Sequence, residues 1–287
     1  MIDYSVASLV KMAKEKNTKI SDVVIEIEIE LEGVSRETLI QQMKQNLDVM
    51  QKAVERGLKE NLKSTSGMSG GEGRMLEKAR LNGKLNSGDT IMKAVARAMA
   101  VANVNAAMGK IVAAPTAGSC GIIPGALLSA AEHIKASQDE ILMALFTAGG
   151  IGRVITEKAT VSGAEGGCQA ECGSAAAMAA GAIVEMAGGS PDQVSNAVAF
   201  ALKNVLGLVC DPVGGLVEVP CIKRNAMGAA NALISSDMAL AGLQSFIPAD
   251  EVIGAMYEIG KKMPVEFKET ALGGLAATPT AKRFYKV

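Results

Sequence analysis

The sequence predicts an all-α protein, a single helical domain with glycine-rich loops between its helices. Three observations support this prediction. Aromatic residues make up only 3% of the chain and Trp is absent, whereas 31 Gly and 16 Met suit closely packed backbones. Several stretches begin with helix-capping residues and continue with apolar residues at helical spacing. No alternating strand–helix pattern and no internal repeat runs through the chain.

The first sixty residues predict three helices. Residues 2–15 place apolar side chains at helical spacing. Residues 21–32 alternate Ile or Leu with Glu, which is a strand pattern, but a Ser-Asp pair begins the stretch and a glycine follows it. Because those are helix start and stop signals, we predict a helix there. Residues 35–60 predict a long amphipathic helix, and we expect 1–62 to form an N-terminal helical segment.

A polar, glycine-rich stretch at residues 63–74 reads K-S-T-S-G-M-S-G-G-E-G-R. Two interpretations are open. The stretch is either a flexible linker or a nest of backbone N–H groups and hydroxyls that binds a carboxylate. In the second case the candidate binding residues are Ser66, Gly70 and Gly71.

The middle of the chain predicts a helix from residue 89 to about 108 and then a second glycine-rich turn. Residues 111–125 read I-V-A-A-P-T-A-G-S-C-G-I-I-P-G, a short apolar run, a turn and a helix start. Such an arrangement suits an anion at the helix N-terminus, and Thr116, Gly118 and Ser119 are the candidate contacts. The stretch is not a P-loop, because the Gly-Lys-Ser/Thr ending is missing.

The second half of the chain predicts further helices, each marked by a start signal or by small-residue composition. The start signals are at Ser137, Ser190 and Pro248, Ala-rich helices are expected within 167–187 and 222–243, and residues 270–287 read as a Gly/Thr/Pro tail.

Charge and hydropathy exclude several classes of partner. A net charge of −1, from 29 basic and 30 acidic residues, gives no footprint for nucleic acid or an anionic membrane. The N-terminus lacks the basic start and apolar run of a signal peptide. The longest charge-free run, 111–131, contains two prolines and three glycines, which disfavour a membrane helix. We therefore expect a soluble, cytoplasmic protein whose five cysteines are ligands or free thiols rather than disulfides.

A loop bounded by two cysteines, Cys210–Cys221, reads C-D-P-V-G-G-L-V-E-V-P-C. Its prolines and glycines prevent a regular helix or central strand, so the loop is able to turn both sulfurs toward one point. Cys168 lies in another glycine-rich stretch, S-G-A-E-G-G-C-Q. The spacing matches neither the close pairs of zinc sites nor the short runs of ferredoxins. Cys172 is four residues after Cys168, so three ligands, four ligands and buried structural thiols all remain open.

Several sequence blocks, taken in their order along the chain, resemble those of a known protein family. P-T-A-G-S-C-G-I-I-P, S-G-A-E-G-G-C-Q-A-E and C-D-P-V-G-G-L-V-E-V-P-C-I-K-R-N-A closely resemble the α chain of iron–sulfur-dependent L-serine dehydratase, and V-E-R-G-L-K and S-G-M-S-G-G extend the resemblance toward the front. The resemblance implies a helical catalytic domain at 63–287, continuous with 1–62. It also implies a 4Fe–4S cluster held by Cys168, Cys210 and Cys221. Neither Cys172 nor Cys120 matches a family ligand position.

The chemistry implied by the resemblance is deamination of L-serine to pyruvate and ammonia. A cluster with three cysteine ligands leaves one iron to bind the substrate hydroxyl as a Lewis acid. The turns at Thr116–Ser119 and Ser66–Gly71 are the candidates for holding the substrate carboxylate. Pyridoxal phosphate is not expected, since no Schiff-base lysine motif is evident.

Polar residues in the matching blocks are candidates to support the cluster ligands by hydrogen bonds. Ser162, Gln169 and Asn225 are the main candidates for this supporting role, and helix capping or loop stabilisation is the alternative for each. Glu165, Asp211 and Arg224 are likewise candidates either to support the cluster ligands or to stabilise caps and loops.

The general base is left unassigned in this chain. The one histidine, His133, reads as an ordinary surface or core residue. The resemblance implies a β chain that carries a Ser-Ser-Ser-His-Thr motif, which is absent here. Two alternatives remain: a related lyase that acts on L-cysteine or L-threonine, and a non-catalytic metal-stabilised or electron-carrying protein.

Overall fold

The structure, a computed structural model, describes residues 4–284 and consists of helices joined by loops. In this part of the chain there are thirteen α-helices, short 3-10 turns and no β-strand, apart from one isolated bridge between Cys210 and Lys268. The predicted all-α class is confirmed. The helix predicted at 2–15 and the tail at 270–287 fall partly on residues 1–3 and 285–287, which lie outside the described residues.

The α-helices differ widely in length, from a single turn at α8 to 24 residues at α3. In chain order they are α1 (Val6–Lys16), α2 (Ile20–Glu32), α3 (Arg36–Lys59), α4 (Glu72–Leu81), α5 (Asp89–Ala106), α6 (Ile122–Ile134), α7 (Gln138–Lys158), α8 (Gly163–Gly166), α9 (Ser174–Met186), α10 (Pro191–Lys203), α11 (Cys221–Leu240), α12 (Ala249–Lys262) and α13 (Pro279–Phe284).

The helix starts predicted from local signals at Ser137, Ser190 and Pro248 are confirmed at α7, α10 and α12. Ser190 shows the mechanism: its hydroxyl accepts a hydrogen bond from the Gln193 N–H at 3.3 Å, and the Gln193 side chain accepts one from the Ser190 N–H at 2.8 Å. These two reciprocal hydrogen bonds satisfy backbone N–H donors that the start of a helix leaves unpaired.

The alternating stretch at residues 21–32 forms α2 and not a strand. Ile20, Val23, Val24 and Ile27 are all buried, with at most 2% of each side chain exposed. These positions follow helical spacing, so the apolar face that decides the structure has a period near 3.6 rather than 2.

Three helices are additions to the predicted pattern: α4, the single-turn α8 and α13. The stretch at residues 63–74 ends as a loop at Gly71, and α4 follows where no helix was predicted. A Cβ at Gly73 would lie 2.4 Å from the Ala100 backbone nitrogen, so the glycine allows α4 to pack directly on α5. Near the C-terminus, α13 lies in the segment predicted as a tail.

The centre of the core is α9, as the Ala-rich composition predicts. All 13 of its residues are buried, and α6, α7, α10 and α11 pack around it. A Cβ at Gly181 would lie 2.4 Å from Ile151 Cδ1, so small residues set the distance between α9 and α7. One irregular turn, the π-helical segment Gln169–Gly173, leads into α9 and places Cys168 at its start.

The N-terminal helices pack on this core. α2 contacts α7, and α3 contacts α5. The buried Glu185 of α9 accepts hydrogen bonds from the Ile20 N–H and the Thr147 hydroxyl, at 2.8 and 2.7 Å, and so caps the N-terminus of α2. In the described range, 4–284, none of the helices has both the length and the hydropathy needed to cross a bilayer.

Candidate functional site

The three cysteines predicted as ligands come from three separate parts of the chain and are all buried. Cys168 precedes the π-helical segment, Cys210 follows α10, and Cys221 is the first residue of α11. They are 2%, 2% and 8% exposed, and none forms a disulfide. Burial raises the pKa of the Cys210 thiol, and the neighbouring charges, that of Glu171 first, add to the shift. Burial likewise raises the pKa of Cys221 to about 12.

The two remaining cysteines occupy different surroundings. The Cys168 thiol donates a hydrogen bond to Cys172 Sγ, with 3.3 Å between the sulfurs, so a fourth thiol adjoins the predicted three. Cys120 instead packs with Val54, Val101 and other apolar residues in a separate cluster. Burial there raises the pKa of Cys120 to about 12.

A cavity of about 320 Å³ opens beside Cys210 and Cys221. It brings together candidates from three separate stretches of sequence with two acidic residues that the sequence analysis did not select. Its lining residues are Thr116, Ala117, Gly118, Val161, Ser162, Gly163, Glu171, Cys210, Pro212, Val217, Cys221 and Glu269.

The two acidic residues, Glu171 and Glu269, lie next to Cys210. One carboxylate oxygen of each, together with Cys210 Sγ, forms a group whose atoms are within 4.8 Å of one another, a spacing that suits a metal ion. The Thr116 hydroxyl donates to Glu171 Oε1 at 2.9 Å. Burial raises the pKa of the Glu171 carboxyl, and the Glu269 charge adds to the shift while the Thr116 hydrogen bond opposes it.

Backbone pairing after Cys210 explains how Glu269 reaches the cavity. The Cys210 N–H donates to the Phe267 carbonyl at 2.8 Å, and the Glu269 N–H donates to the Cys210 carbonyl at 2.9 Å. Nothing local in the sequence signals this contact, because the paired segments are far apart along the chain. Glu171 had a signal, since it stands three residues after Cys168 in the matching block.

A buried ion pair fixes the beginning of the Cys210–Cys221 loop. Arg224 donates to Asp211 Oδ1 at 2.7 Å and to the Val209 carbonyl at 2.8 Å. The other oxygen of Asp211 accepts a hydrogen bond from the Leu275 N–H at 2.8 Å. Asp211 therefore joins the cysteine loop to the C-terminal segment as well as to α11.

Asn225 ties the two cavity walls together. Its side-chain oxygen accepts from the Gly121 N–H at 2.8 Å, and its amide donates to the Gly118 and Cys221 carbonyls at 2.7 and 2.9 Å. The side chain is 1% exposed. These contacts hold the Thr116–Ser119 turn against the start of α11.

Gln169 plays a comparable role behind Cys168. Its amide donates to the Gly166 and Met256 carbonyls at 2.9 and 3.0 Å, and its oxygen accepts from the Gly207 N–H at 2.9 Å. The side chain is completely buried and does not line the cavity.

The predicted serines take different positions. Ser162 lines the cavity, and its N–H donates to the Thr160 hydroxyl at 3.1 Å. Ser119 is fully buried, with its hydroxyl 3.2 Å from that of Thr116.

The front glycine-rich loop does not line this cavity. The hydroxyls of Ser66 and Ser69 donate to Glu218 Oε2 at 2.9 and 2.8 Å. The Gly70 N–H donates to Glu72 Oε2 at 2.8 Å, and Gly71 directly precedes α4. The carboxylates bound by this loop are thus the chain's own, and a substrate role for Ser66, Gly70 and Gly71 stays a prediction.

The single histidine lies outside the cavity. His133 is exposed near the end of α6, with Nδ1 3.4 Å from the Thr90 hydroxyl. The general base remains unassigned among the described residues.

Comparison with known proteins gives the family. A family model described as "Serine dehydratase alpha chain" matches residues 15–276. The "Probable L-serine dehydratase, alpha chain" of Bacillus subtilis (strain 168) is 54% identical over 282 residues, which cover 98% of this chain and 94% of that protein. The "L-serine dehydratase, alpha chain" of Peptoniphilus asaccharolyticus is 45% identical over 275 residues, 96% of this chain and 94% of that protein. The "L-serine dehydratase" of Streptomyces coelicolor (strain ATCC BAA-471 / A3(2) / M145) is 50% identical over 181 residues, 62% of this chain and 40% of that protein. The chain therefore belongs to the serine dehydratase alpha chain family.

Proposed function

We propose that this chain is the α subunit of an iron–sulfur L-serine dehydratase, which converts L-serine to pyruvate and ammonia. The names of its relatives support the reaction. The observation that carries the proposal is the cavity at Cys210 and Cys221, two free and buried thiols, which small polar and acidic side chains also line.

Cys168, Cys210 and Cys221 are proposed to hold a 4Fe–4S cluster. The donor set fits, because thiolates are the usual ligands of iron–sulfur clusters and these three thiols are buried and form no disulfide. When bound, such a cluster supplies an iron that acts as a Lewis acid toward the substrate hydroxyl. The sulfur of Cys172 adjoins Cys168, but we assign it no ligand role, in keeping with the family resemblance.

The chain's own residues bind and orient the substrate. The Thr116–Ser119 turn, held by Asn225, is proposed to bind the substrate carboxylate, and apolar Val161, Pro212 and Val217 limit the water in the cavity. Loss of the α-proton and the β-hydroxyl gives aminoacrylate. Its imine form takes up one water and releases ammonia and pyruvate, so the atoms balance. Pyridoxal phosphate has no part in this proposal.

A β chain is proposed as the partner, and it would supply the group that removes the α-proton. The term "alpha chain" in the names of two relatives supports a second chain. We further propose that residues 1–62 and 63–287 form one continuous domain. The cap that Glu185 provides to α2 supports this, because it ties the N-terminal segment to the central helix.

An oxygen-free lyase assay tests the function. The chain is purified without oxygen and assayed on L-serine, L-threonine and L-cysteine, with and without its β chain. We expect pyruvate from L-serine, only in the presence of both chains, and loss of activity in air. Equal or faster turnover of L-cysteine or L-threonine would identify a related lyase instead. A cluster that cycles electrons without turning over any of the three would identify an electron carrier.

A further inference from the structure

Glu171 lines the cavity, and each of its carboxylate oxygens has a hydrogen-bond donor. Thr116 donates to Oε1 at 2.9 Å, and the Cys210 thiol donates to Oε2 over a longer 3.7 Å. Glycines make room for this carboxylate. A Cβ at Gly118 would lie 3.2 Å from Oε1, and a Cβ at Gly163 would lie 2.5 Å from Oε2 and 3.1 Å from Glu269 Oε2. The glycines thus allow the two carboxylates to face each other across Gly163.

The charge of this pair is not balanced inside the cavity. Among the described residues that line it there is no Lys or Arg. Arg224, the cation whose charge reaches Glu171, is already paired with Asp211. Between residues 4 and 284, Glu269 has no ion-pair partner, and it is solvent-exposed at the cavity wall. Two carboxylates this close repel each other unless a cation lies between them.

The two carboxylates are close enough for one ammonium group to reach both. Two N–H donors of a tetrahedral ammonium, each about 2.8 Å from its acceptor, place the acceptor oxygens roughly 4.6 Å apart. The carboxylate oxygens of Glu171 and Glu269 are within 4.8 Å of each other. An amino acid that enters the cavity brings such an ammonium group attached to its α-carbon.

We propose that Glu171 and Glu269 together bind the α-ammonium group of the amino-acid substrate. This inference rests on the proposed function, and it adds a specificity determinant: the site selects amino acids over hydroxy acids of the same shape.

The test compares ligands that differ only in the ammonium group. Glu269→Gln is made in the α chain, which is then assembled with its β chain and cluster. The KM for L-serine and the inhibition constant for 3-hydroxypropionate, which is serine without its ammonium group, are measured together. Loss of one charged acceptor is expected to raise the KM for L-serine about tenfold or more, with the inhibition constant for 3-hydroxypropionate unchanged. Glu171→Gln, which keeps an oxygen for Thr116, should act in the same direction.

Glu266→Gln is the matched control, because Glu266 is an exposed glutamate of the same segment that does not line the cavity. It should change neither constant. An unchanged KM for L-serine in Glu269→Gln, or an equal weakening of both ligands, would overturn the inference.

The two proposals fail in different ways. A wild-type complex that makes no pyruvate contradicts the proposed function. Calorimetric binding of L-alanine and propionate, which lack the leaving hydroxyl and differ in the ammonium group, then decides the inference alone. If Glu269→Gln binds L-alanine more weakly than wild type does but binds propionate equally well, the ammonium-binding inference is supported. Any other pattern overturns this inference.

Discussion

The carboxylate of Glu218 accepts a hydrogen bond from the Ser69 hydroxyl at 2.8 Å and is only 3% exposed. Ser66 donates to the same oxygen at 2.9 Å. The backbone carbonyl of Glu218 also accepts from the Ile222 N–H in the first turn of α11. One residue therefore joins the front glycine-rich loop to the segment that presents Cys221.

Removal of this carboxylate should release the front loop. In Glu218→Ala, both serine hydroxyls lose their acceptor in a nearly buried position, which costs about 1–3 kcal/mol for each unpaired group. We expect faster amide hydrogen exchange at residues 64–71 and little change in α9, measured by mass spectrometry. Glu218→Gln keeps an acceptor oxygen and should show a smaller effect. Equal protection of residues 64–71 in wild type and Glu218→Ala would contradict this role.

Asn225 should be a major determinant of stability near the site. Asn225→Ala leaves the buried Gly121 N–H and Gly118 carbonyl without partners, so the free energy of unfolding should fall by about 3 kcal/mol. Urea denaturation of the chain measures this. Asn46→Ala, at an exposed position of α3, is the control and should change the value by less than about 0.5 kcal/mol. A similar, small change in both variants would show that the Asn225 contacts contribute little.

Two adjacent glycines in α7 should respond in opposite ways to alanine. A Cβ at Gly149 meets no atom within 4 Å, so Gly149→Ala should stabilise the chain by about 0.5–1 kcal/mol through helix propensity. A Cβ at Gly150 would lie 2.3 Å from Val24 Cγ2, so Gly150→Ala should destabilise it by about 1–3 kcal/mol through overpacking against α2. Urea midpoints of the two variants test both signs. Equal effects would mean that α2 and α7 adjust freely to each other.

Helix identity was predictable wherever its cause is local. The capping residues Ser137 and Ser190 lie next to the turns that they begin, so the sequence shows the start of α7 and α10 directly. The α4 helix was not predicted, because the glycines before and at its start lower helix propensity and its packing on α5 depends on Gly73 meeting Ala100. That contact joins residues far apart in sequence.

In the candidate site, too, the residues marked by a local motif were predictable and those placed by distant contacts were not. Motif resemblance selected Cys168, Cys210 and Cys221; all three are buried, and Cys210 and Cys221 line the cavity. The motif resemblance gave no indication of Glu269, whose position follows from backbone pairing with Cys210. Nor did it indicate that Ser66 binds an acceptor from within the chain, because Glu218 is distant in sequence.

The ligand set of the proposed cluster is tested most directly by iron content. Wild type, Cys172→Ala, Cys120→Ala and Cys210→Ala are reconstituted without oxygen, and iron and acid-labile sulfide are measured per chain. The proposed assignment predicts full content in the first three and a large loss in Cys210→Ala, because only Cys210 among the substituted residues is assigned as a ligand. A wild-type chain that takes up no iron, or a loss in Cys172→Ala as large as in Cys210→Ala, would contradict the three-cysteine site.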